Sequence, residues 1–164
     1  MHLQIMYMHR LMTGRKQPRK TLRADARALV EICAGCNSRL AARRIARFLD
    51  HELADTGLSV AQLGMLARIA ATADDTMGAL AEKSGLDQST LSRNLRTLEG
   101  KRLVEIATVE TDLRRRVVWL TETGARRLEA AIPLWRAANT RLAKYLAPDL
   151  ARRLAADSEL LTTN

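Results

Sequence analysis

Apolar residues recur at steps of three and four along most of the chain, the spacing of one buried helix face. The first such run covers residues 25 to about 53 and predicts a single long helix. Its apolar positions are Leu29, Cys33, Cys36, Leu40, Ile45, Phe48 and Leu49. A helical run longer than about 25 residues is unusual within one globular domain and indicates packing against a partner.

Three shorter helices are predicted in the middle of the chain, each with its own start signal. Ser59 and Gln62 have the spacing of a capping box, which begins the second helix. Thr76 is a good N-cap for a third helix, which Gly85 ends. A fourth helix begins after Asp87. Its apolar face consists of Leu91, Leu95 and Leu98. The short turn between the third and fourth helices predicts a helix-turn-helix.

Beyond Gly100 the pattern changes from the period of a helix to that of a strand. Residues 103–109 and 116–120 are rich in β-branched and apolar side chains, and residues 110–114 between them are polar. This pattern predicts a two-stranded hairpin. A fifth helix should begin at Thr121 and bend at Pro133, and a last helix should open at Pro148.

The fourth helix has the polar face of a DNA-reading helix. With its leucines facing inward, a polar set faces outward: Gln88, Ser89, Thr90, Ser92, Arg93 and Arg96. Glutamine can pair with adenine, arginine with guanine, and serine or threonine with bases or phosphates. The alternative is a plain helical hairpin with a solvated polar face.

The tip of the predicted hairpin is strongly basic. It reads Asp112-Leu113-Arg114-Arg115-Arg116. Packing explains three arginines on a protruding turn poorly, whereas such a wing could reach phosphates or a minor groove beside the fourth helix. The alternative is a charged turn that serves solubility.

The predicted fold is therefore mainly α with a small β-hairpin wing, a winged helix-turn-helix with N- and C-terminal dimerisation helices. The end helices are assigned to dimerisation because their apolar stripes lack a covering partner in the same chain. We expect a basic, disordered tail at residues 1–23, dimerisation helices at 24–58 and 121–164, and the DNA-binding domain at 59–120.

Composition narrows the class of protein further. Of 164 residues, 47% are hydrophobic and 27% charged, as in an ordinary globular protein. The net charge of +9 is concentrated in the tail, whose six basic residues have no acidic neighbour: Arg10, Arg15, Lys16, Arg19, Lys20 and Arg23. The chain has neither an 18-residue apolar run nor a recognisable secretory signal, so we expect a cytoplasmic protein without membrane association and with reduced cysteines.

Cys33 and Cys36 form a C-x-x-C motif, which thiol oxidoreductases place at a helix N-terminus. The predicted long helix puts the pair in mid-helix, where that activation is absent. We therefore favour packing, with redox sensing as the alternative. His51 is about 22 Å farther along a straight helix and cannot complete a metal site. We find no catalytic motif and expect neither a cofactor nor a metal nor enzyme activity.

Four short motifs follow one another along the chain: residues 89–98 (STLSRNLRTL), Gly100 with Leu103-Val104, Asp112-x-Arg114, and Leu120-Thr121-x-x-Gly124. Together they resemble the MarR family of winged-helix regulators, over about residues 25–160. One departure is Lys101-Arg102, where a glycine often precedes the Leu-Val pair. The resemblance implies a homodimer whose first, fifth and sixth helices intertwine. It also implies that Arg114 touches DNA, that Asp112 orients it, and that a small ligand or cysteine oxidation releases the DNA.

The sequence thus predicts a regulator that binds double-stranded DNA at a pseudo-palindromic operator, in the form of a repressor released by a small-molecule effector or an oxidative signal. The alternative is a protein-interaction module that uses the winged fold without DNA. Dithiol exchange at the cysteine pair is a more distant alternative.

Overall fold

The computed structural model describes residues 20–72, 76–109 and 112–161, without the side chains of residues 20, 21 and 112–115. The elements are α1 (Lys20–Ile32), α2 (Ala34–Glu52), a 3-10 turn (Ala54–Thr56), α3 (Val60–Ala71), α4 (Met77–Ser84), α5 (Gln88–Gly100), β1 (Val104–Val109), β2 (Asp112–Leu120), α6 (Glu122–Leu142) and α7 (Leu150–Ser158). The two strands form one antiparallel hairpin. This confirms the predicted class, mainly α with a β-hairpin wing.

The chain divides into two compact units, Met1–Arg44 and Ile45–Asn164, with the boundary inside α2. In the first unit, α1 begins at Lys20, within the segment expected to be a tail, and residues 1–19 of that tail lie outside the described residues. The described side chains of α1 are all exposed, including Leu22, Leu29 and Ile32.

The single long helix predicted for residues 25–53 is wrong, because the helix is interrupted at Cys33. In a continuous helix the Glu31 carbonyl would accept the Gly35 N–H, four residues later. The side-chain amide of Asn37 donates instead to the carbonyl of Glu31, at 2.9 Å. Local side-chain bonds have therefore replaced part of the helical ladder.

The second unit is built around one hydrophobic core. Its largest fully buried side chains are Leu53, Leu66, Leu80, Leu91, Leu95, Leu98, Val104 and Val118. The helix α3 begins at the predicted capping box, in which the Ser59 hydroxyl accepts the Gln62 N–H and the Gln62 side chain accepts the Ser59 N–H. It packs against α6 and β2, so the core joins the helices to the base of the hairpin.

A tight joint connects α5, the hairpin and α6. Arg102 has a φ of 57°, the left-handed conformation that glycine adopts without steric cost. Its carbonyl accepts the Thr121 hydroxyl at 2.7 Å, and the Thr121 N–H donates to the Leu103 carbonyl. The Thr121 hydroxyl also caps α6 by accepting the Gly124 N–H at 2.9 Å. These bonds hold the root of the hairpin against the start of α6.

The C-terminal helices leave apolar side chains uncovered. On α7, Leu150 and Leu154 are exposed and lie one helical turn apart. Trp135 is also exposed on α6, close to Pro133 in the interior of that helix. Among the described helices, none is both long and apolar enough to cross a membrane.

Candidate nucleic-acid interface

The helix-turn-helix consists of α4, a three-residue turn and α5. The α4 helix begins at the predicted N-cap, where the Thr76 hydroxyl accepts the Ala79 N–H at 3.3 Å. Gly85 then turns the chain with a φ of 60°, and the N–H of Leu86 donates to the Ala81 carbonyl. Positive φ at this position lets the second helix leave at an angle without strain.

Burial fixes which side of α5 faces away from the protein. Leu91, Leu95 and Leu98 are almost completely buried, and each contributes about 1.5–3 kcal/mol relative to an exposed leucine. Rotating the helix would lose that stabilisation. The outward face is therefore the predicted one: Gln88, Ser89, Arg93 and Arg96 are exposed, and Thr90 and Ser92 are half-buried.

Asp87, which is absent from the predicted site, organises the start of this helix. Its carboxylate accepts the Thr90 N–H at 2.8 Å, the Ser89 hydroxyl at 2.6 Å and the Thr90 hydroxyl at 2.8 Å. The bond from Ser89, with those from Thr90, holds the pKa of Asp87 well below its usual range. A signal was present in the sequence, because an aspartate before a helix, followed by Ser89 and Thr90, can cap the helix and bond both hydroxyls.

The wing begins earlier than predicted. The β2 strand starts at Asp112 rather than at residue 116, so residues 114–116 belong to a strand and not to a turn. The register set by the apolar pairs near the base continues outward to Thr108 opposite Arg116, and an irregularity then pairs Val109 with Asp112. Backbone pairing does not depend on side-chain polarity, so the basic residues did not end the strand.

The structure brings the wing and α5 together around a concave surface. Arg116 is exposed on β2, and a bridge between Thr76 and Val117 joins the strand to the start of α4. A cavity of about 510 Å³ lies between these elements, lined by Thr76, Met77, Gly78, Gln88, Leu91, Ser92 and Arg116. Three predicted site residues, Gln88, Ser92 and Arg116, therefore share one cavity. The side chains of Asp112, Arg114 and Arg115 lie outside the described residues, so their roles stay predictions.

Comparison with known proteins agrees with this architecture. A family model described as MarR family matches residues 56–115, which cover the helix-turn-helix and most of the hairpin. The transcriptional regulator MosR of M. tuberculosis, in a crystal structure with DNA, is 30% identical, with a TM-score of 0.71. That match covers 79% of this chain and 96% of the MosR chain. The chain belongs to the MarR family.

Two further structures resemble the chain. A cysteine-to-serine variant of E. coli MarR, complexed with operator DNA, is 26% identical with a TM-score of 0.68, and the match covers 82% of this chain and 98% of that one. MepR of S. aureus, also in a DNA complex, is 21% identical with a TM-score of 0.64, over 79% and 96% of the two chains. At that identity the MepR match supports the fold alone. No curated protein sequence matches the chain.

Membership of the MarR family answers two questions that the sequence had raised. Its members are transcription regulators and not enzymes, so the dithiol-exchange alternative is set aside. They assemble as dimers, in agreement with the predicted homodimer.

The cysteine pair of this MarR-family chain is not in mid-helix, and that prediction is wrong. Cys33 occupies the position before the first residue of α2. The backbone N–H of Cys36 and the Cys36 side chain, together with the Gly35 N–H and nearby Arg39, lower the pKa of the Cys33 thiol. The hydrogen bond with Cys33 raises the pKa of Cys36. Cys33 therefore lies at a helix start, the position that is typical of thiols with a lowered pKa. Within residues 20–72, 76–109 and 112–161, no three metal-ligating side chains come together.

Proposed function

We propose that the chain is a transcription regulator that binds double-stranded DNA as a homodimer, with α5 of each subunit in the major groove of one operator half-site. The observation that carries this proposal is the outward face of α5, on which Ser89 and Arg93 are exposed and Gln88 shares a cavity with Arg116 of the wing. Polar and basic groups on a protruding helix next to a basic strand match the base edges and phosphates of a duplex. MosR and MarR, both crystallised with DNA, support the same reading.

The proposed contacts are of two kinds: those that read the base sequence and those that hold the protein on the DNA. Gln88, Ser89 and Arg93 would face base edges, where a good contact contributes about 1–3 kcal/mol of discrimination. Thr90, Ser92 and Arg96 would contact bases or phosphates. Arg114, Arg115 and Arg116 would reach phosphates or the minor groove, with Asp112 supporting the wing. Because the dimer has twofold symmetry, the expected operator is pseudo-palindromic.

The dimer is proposed to form through the terminal helices, within residues 24–58 and 121–164. Large exposed apolar patches on a soluble protein usually mark interfaces. Leu29 and Ile32 on α1 are such residues in the first unit, and Leu150 and Leu154 on α7 are such residues in the second. A second copy of the chain would cover them. A cytoplasmic location belongs to the same proposal, since that is where a regulator meets DNA.

The experiment that tests the proposal is selection of bound duplexes from genomic fragments, followed by titration at a fixed ionic strength near the physiological value. We expect a preferred duplex to bind about 10³-fold or more tightly than random duplexes. Arg93→Ala should reduce that ratio, whereas Arg136→Ala, which removes an exposed arginine from the distant part of α6, should leave it unchanged. If no duplex is preferred over random DNA, the protein-interaction alternative becomes the better one.

The regulator is proposed to act as a repressor that a signal releases from DNA, and one observation favours an oxidative signal. Cys33 has a lowered thiol pKa and lies just before α2, three residues ahead of Cys36 in the first turn of that helix. A peroxide would oxidise the Cys33 thiolate to a sulfenic acid with loss of water. The Cys36 thiol would then displace a second water to form a disulfide, so that two electrons pass to the peroxide.

Loss of DNA binding after treatment with hydrogen peroxide, reversed by dithiothreitol, tests that signal. Cys33→Ser or Cys36→Ser should abolish the response while leaving the affinity of the reduced protein unchanged. If both variants keep the response, oxidation of this pair is not the signal. A small-molecule effector is then the remaining candidate, and it must bind the two DNA-affinity states with a difference of about 1–3 kcal/mol.

A further inference from the structure

Three hydrogen-bond donors converge on the carboxylate of Asp87, the residue just before α5. Oδ1 accepts the Thr90 N–H at 2.8 Å and the Ser89 hydroxyl at 2.6 Å, and Oδ2 accepts the Thr90 hydroxyl at 2.8 Å. An N-cap needs only the first of these bonds. The other two engage side chains that the proposed function places against DNA.

Each hydroxyl has a single proton to donate. Because the protons of Ser89 and Thr90 point to Asp87, the two oxygens can offer only lone pairs to an outside partner. Phosphate oxygens are acceptors, and so are O6 of guanine and O4 of thymine. In this arrangement the hydroxyls therefore match the exocyclic amino groups of adenine and cytosine, which donate in the major groove.

The same network extends to an arginine one turn farther along α5. Nη2 of Arg93 donates to Oγ of Ser89 at 3.3 Å, so Ser89 links the Asp87 carboxylate to the Arg93 guanidinium through two hydrogen bonds. The side chains of Asp87, Ser89 and Arg93 are all exposed, just before α5 or in its first half. The carboxylate also opposes the attraction that a helix N-terminus has for phosphate, which favours an approach of this end to bases.

We propose that Asp87 is a positioning residue that sets base preference, because it holds Ser89 and Thr90 as hydrogen-bond acceptors and, through Ser89, orients Arg93. This inference rests on the proposed function, since it assigns a specificity device to the same interface. Asp87 itself need not touch DNA. Because the pKa of Asp87 lies below its usual range, the carboxylate is ionised at neutral pH and can accept all three bonds.

The test is Asp87→Asn, measured by selection from randomised duplexes with the full-length protein. Asparagine caps a helix about as well as aspartate. Its amide oxygen can keep the two bonds of Oδ1, from the Thr90 N–H and the Ser89 hydroxyl, but its amide nitrogen replaces Oδ2 as a donor and releases the Thr90 hydroxyl. The matched control is Glu99→Gln, which removes the same charge near the other end of α5. Thr90→Val identifies the base position that Thr90 reads.

We expect wild-type protein to prefer adenine or cytosine at that position. Asp87→Asn should lower the preference about tenfold, within the range of a single base contact, and should raise the affinity for random duplexes. Glu99→Gln should keep the preference. The double variant Asp87→Asn with Thr90→Val should show no further loss there, because both changes remove the same contact.

Several outcomes would overturn the inference. One is an unchanged base preference in Asp87→Asn, and another is a wild-type preference for guanine or thymine at the Thr90 position. A folded Asp87→Asn dimer without any duplex binding would also contradict it, since the wing contacts should remain. If Asp87→Asn unfolds, Thr90→Val and Ser89→Ala retain the Asp87 cap and still test the acceptor preference. A wild-type protein without any sequence preference would instead refute the proposed function.

Discussion

The carbonyl oxygen of Leu103 lies so close to Gly124 that a Cβ atom at position 124 would come within 1.9 Å of it. The neighbouring atom is backbone, at the joint between the hairpin and α6, and cannot rotate away. The α6 helix therefore reaches the root of the wing only because residue 124 has no side chain.

Gly124→Ala should lower the free energy of unfolding by about 2–3 kcal/mol, the upper part of the range for overpacking. Chemical denaturation of the purified dimer at constant protein concentration measures it. Gly100→Ala is the control, because nothing lies within 4 Å of its added Cβ atom. That change should be neutral or stabilising by less than about 1 kcal/mol. Equal effects of the two changes would contradict the close approach.

Arg102→Gly should stabilise the protein. A residue with a side chain loses about 1–2 kcal/mol in the left-handed region, whereas glycine costs about 0.5–1 kcal/mol in chain entropy. We expect a net gain of up to about 1 kcal/mol in the free energy of unfolding. Lys101→Gly is the opposing control, since Lys101 has a φ of −85° and its Nζ bonds the Gly57 carbonyl and the Gln62 side chain. A loss of stability in both variants would refute the argument.

Arg114→Ala and Arg116→Ala should weaken binding to all duplexes alike if each arginine contacts a phosphate. Each change removes two contacts in a dimer, so the slope of log affinity against log salt should fall by roughly 1.8. Titrations of preferred and random duplexes over a salt series measure both quantities, with Arg136→Ala as the control. Asp112→Ala should give a weaker form of the defect. Unchanged affinity and slope in Arg114→Ala would mean that residue 114 does not contact DNA.

Alkylation should distinguish the two thiols by pH. The backbone N–H groups of Cys36 and Gly35 lower the pKa of Cys33 and remain in Cys36→Ser, whereas the pKa of Cys36 is raised by Cys33 itself, which Cys33→Ser removes. Only the thiolate reacts. As the pH rises, Cys36→Ser, which retains Cys33, should therefore begin to react with iodoacetamide at a lower pH than Cys33→Ser. Mass spectrometry gives the rates. In denaturant the two profiles should coincide, and profiles that already coincide in the folded protein would contradict the helix-terminal position of Cys33.

Leu154→Asp should weaken the dimer without unfolding the subunit core. Leu154 is exposed on α7 and lies one turn from exposed Leu150, and the described residues of α7 contribute no buried side chain. Ala156→Asp places the same charge on a different side of the helix, about 200° away, and is the control. Sedimentation at micromolar concentration should show monomer for the first variant and dimer for the second. Dimer in both cases would place the interface elsewhere.

Interactions between residues three or four apart were predictable from the sequence. The capping box at Ser59 and Gln62 and the caps at Thr76 and Thr121 are local contacts, and the structure confirms them. The buried face of α5 was predictable for a related reason, since helical period alone places Leu91, Leu95 and Leu98 on one side. Those features determined the fold class and the outward face of the candidate interface.

The tertiary structure decided the features in which two arrangements competed. Periodicity cannot show whether the Glu31 carbonyl accepts a helix N–H or the side-chain amide of Asn37, and the second arrangement accompanies a helix start at the cysteine pair. Nor does residue type predict a left-handed Arg102. That conformation arises where Leu103 is buried and Gly124 packs against its carbonyl, contacts more than 20 residues apart in sequence. The preference of a residue with a side chain against the left-handed conformation is worth about 1–2 kcal/mol. Burial of the joint between the hairpin and α6 outweighs it.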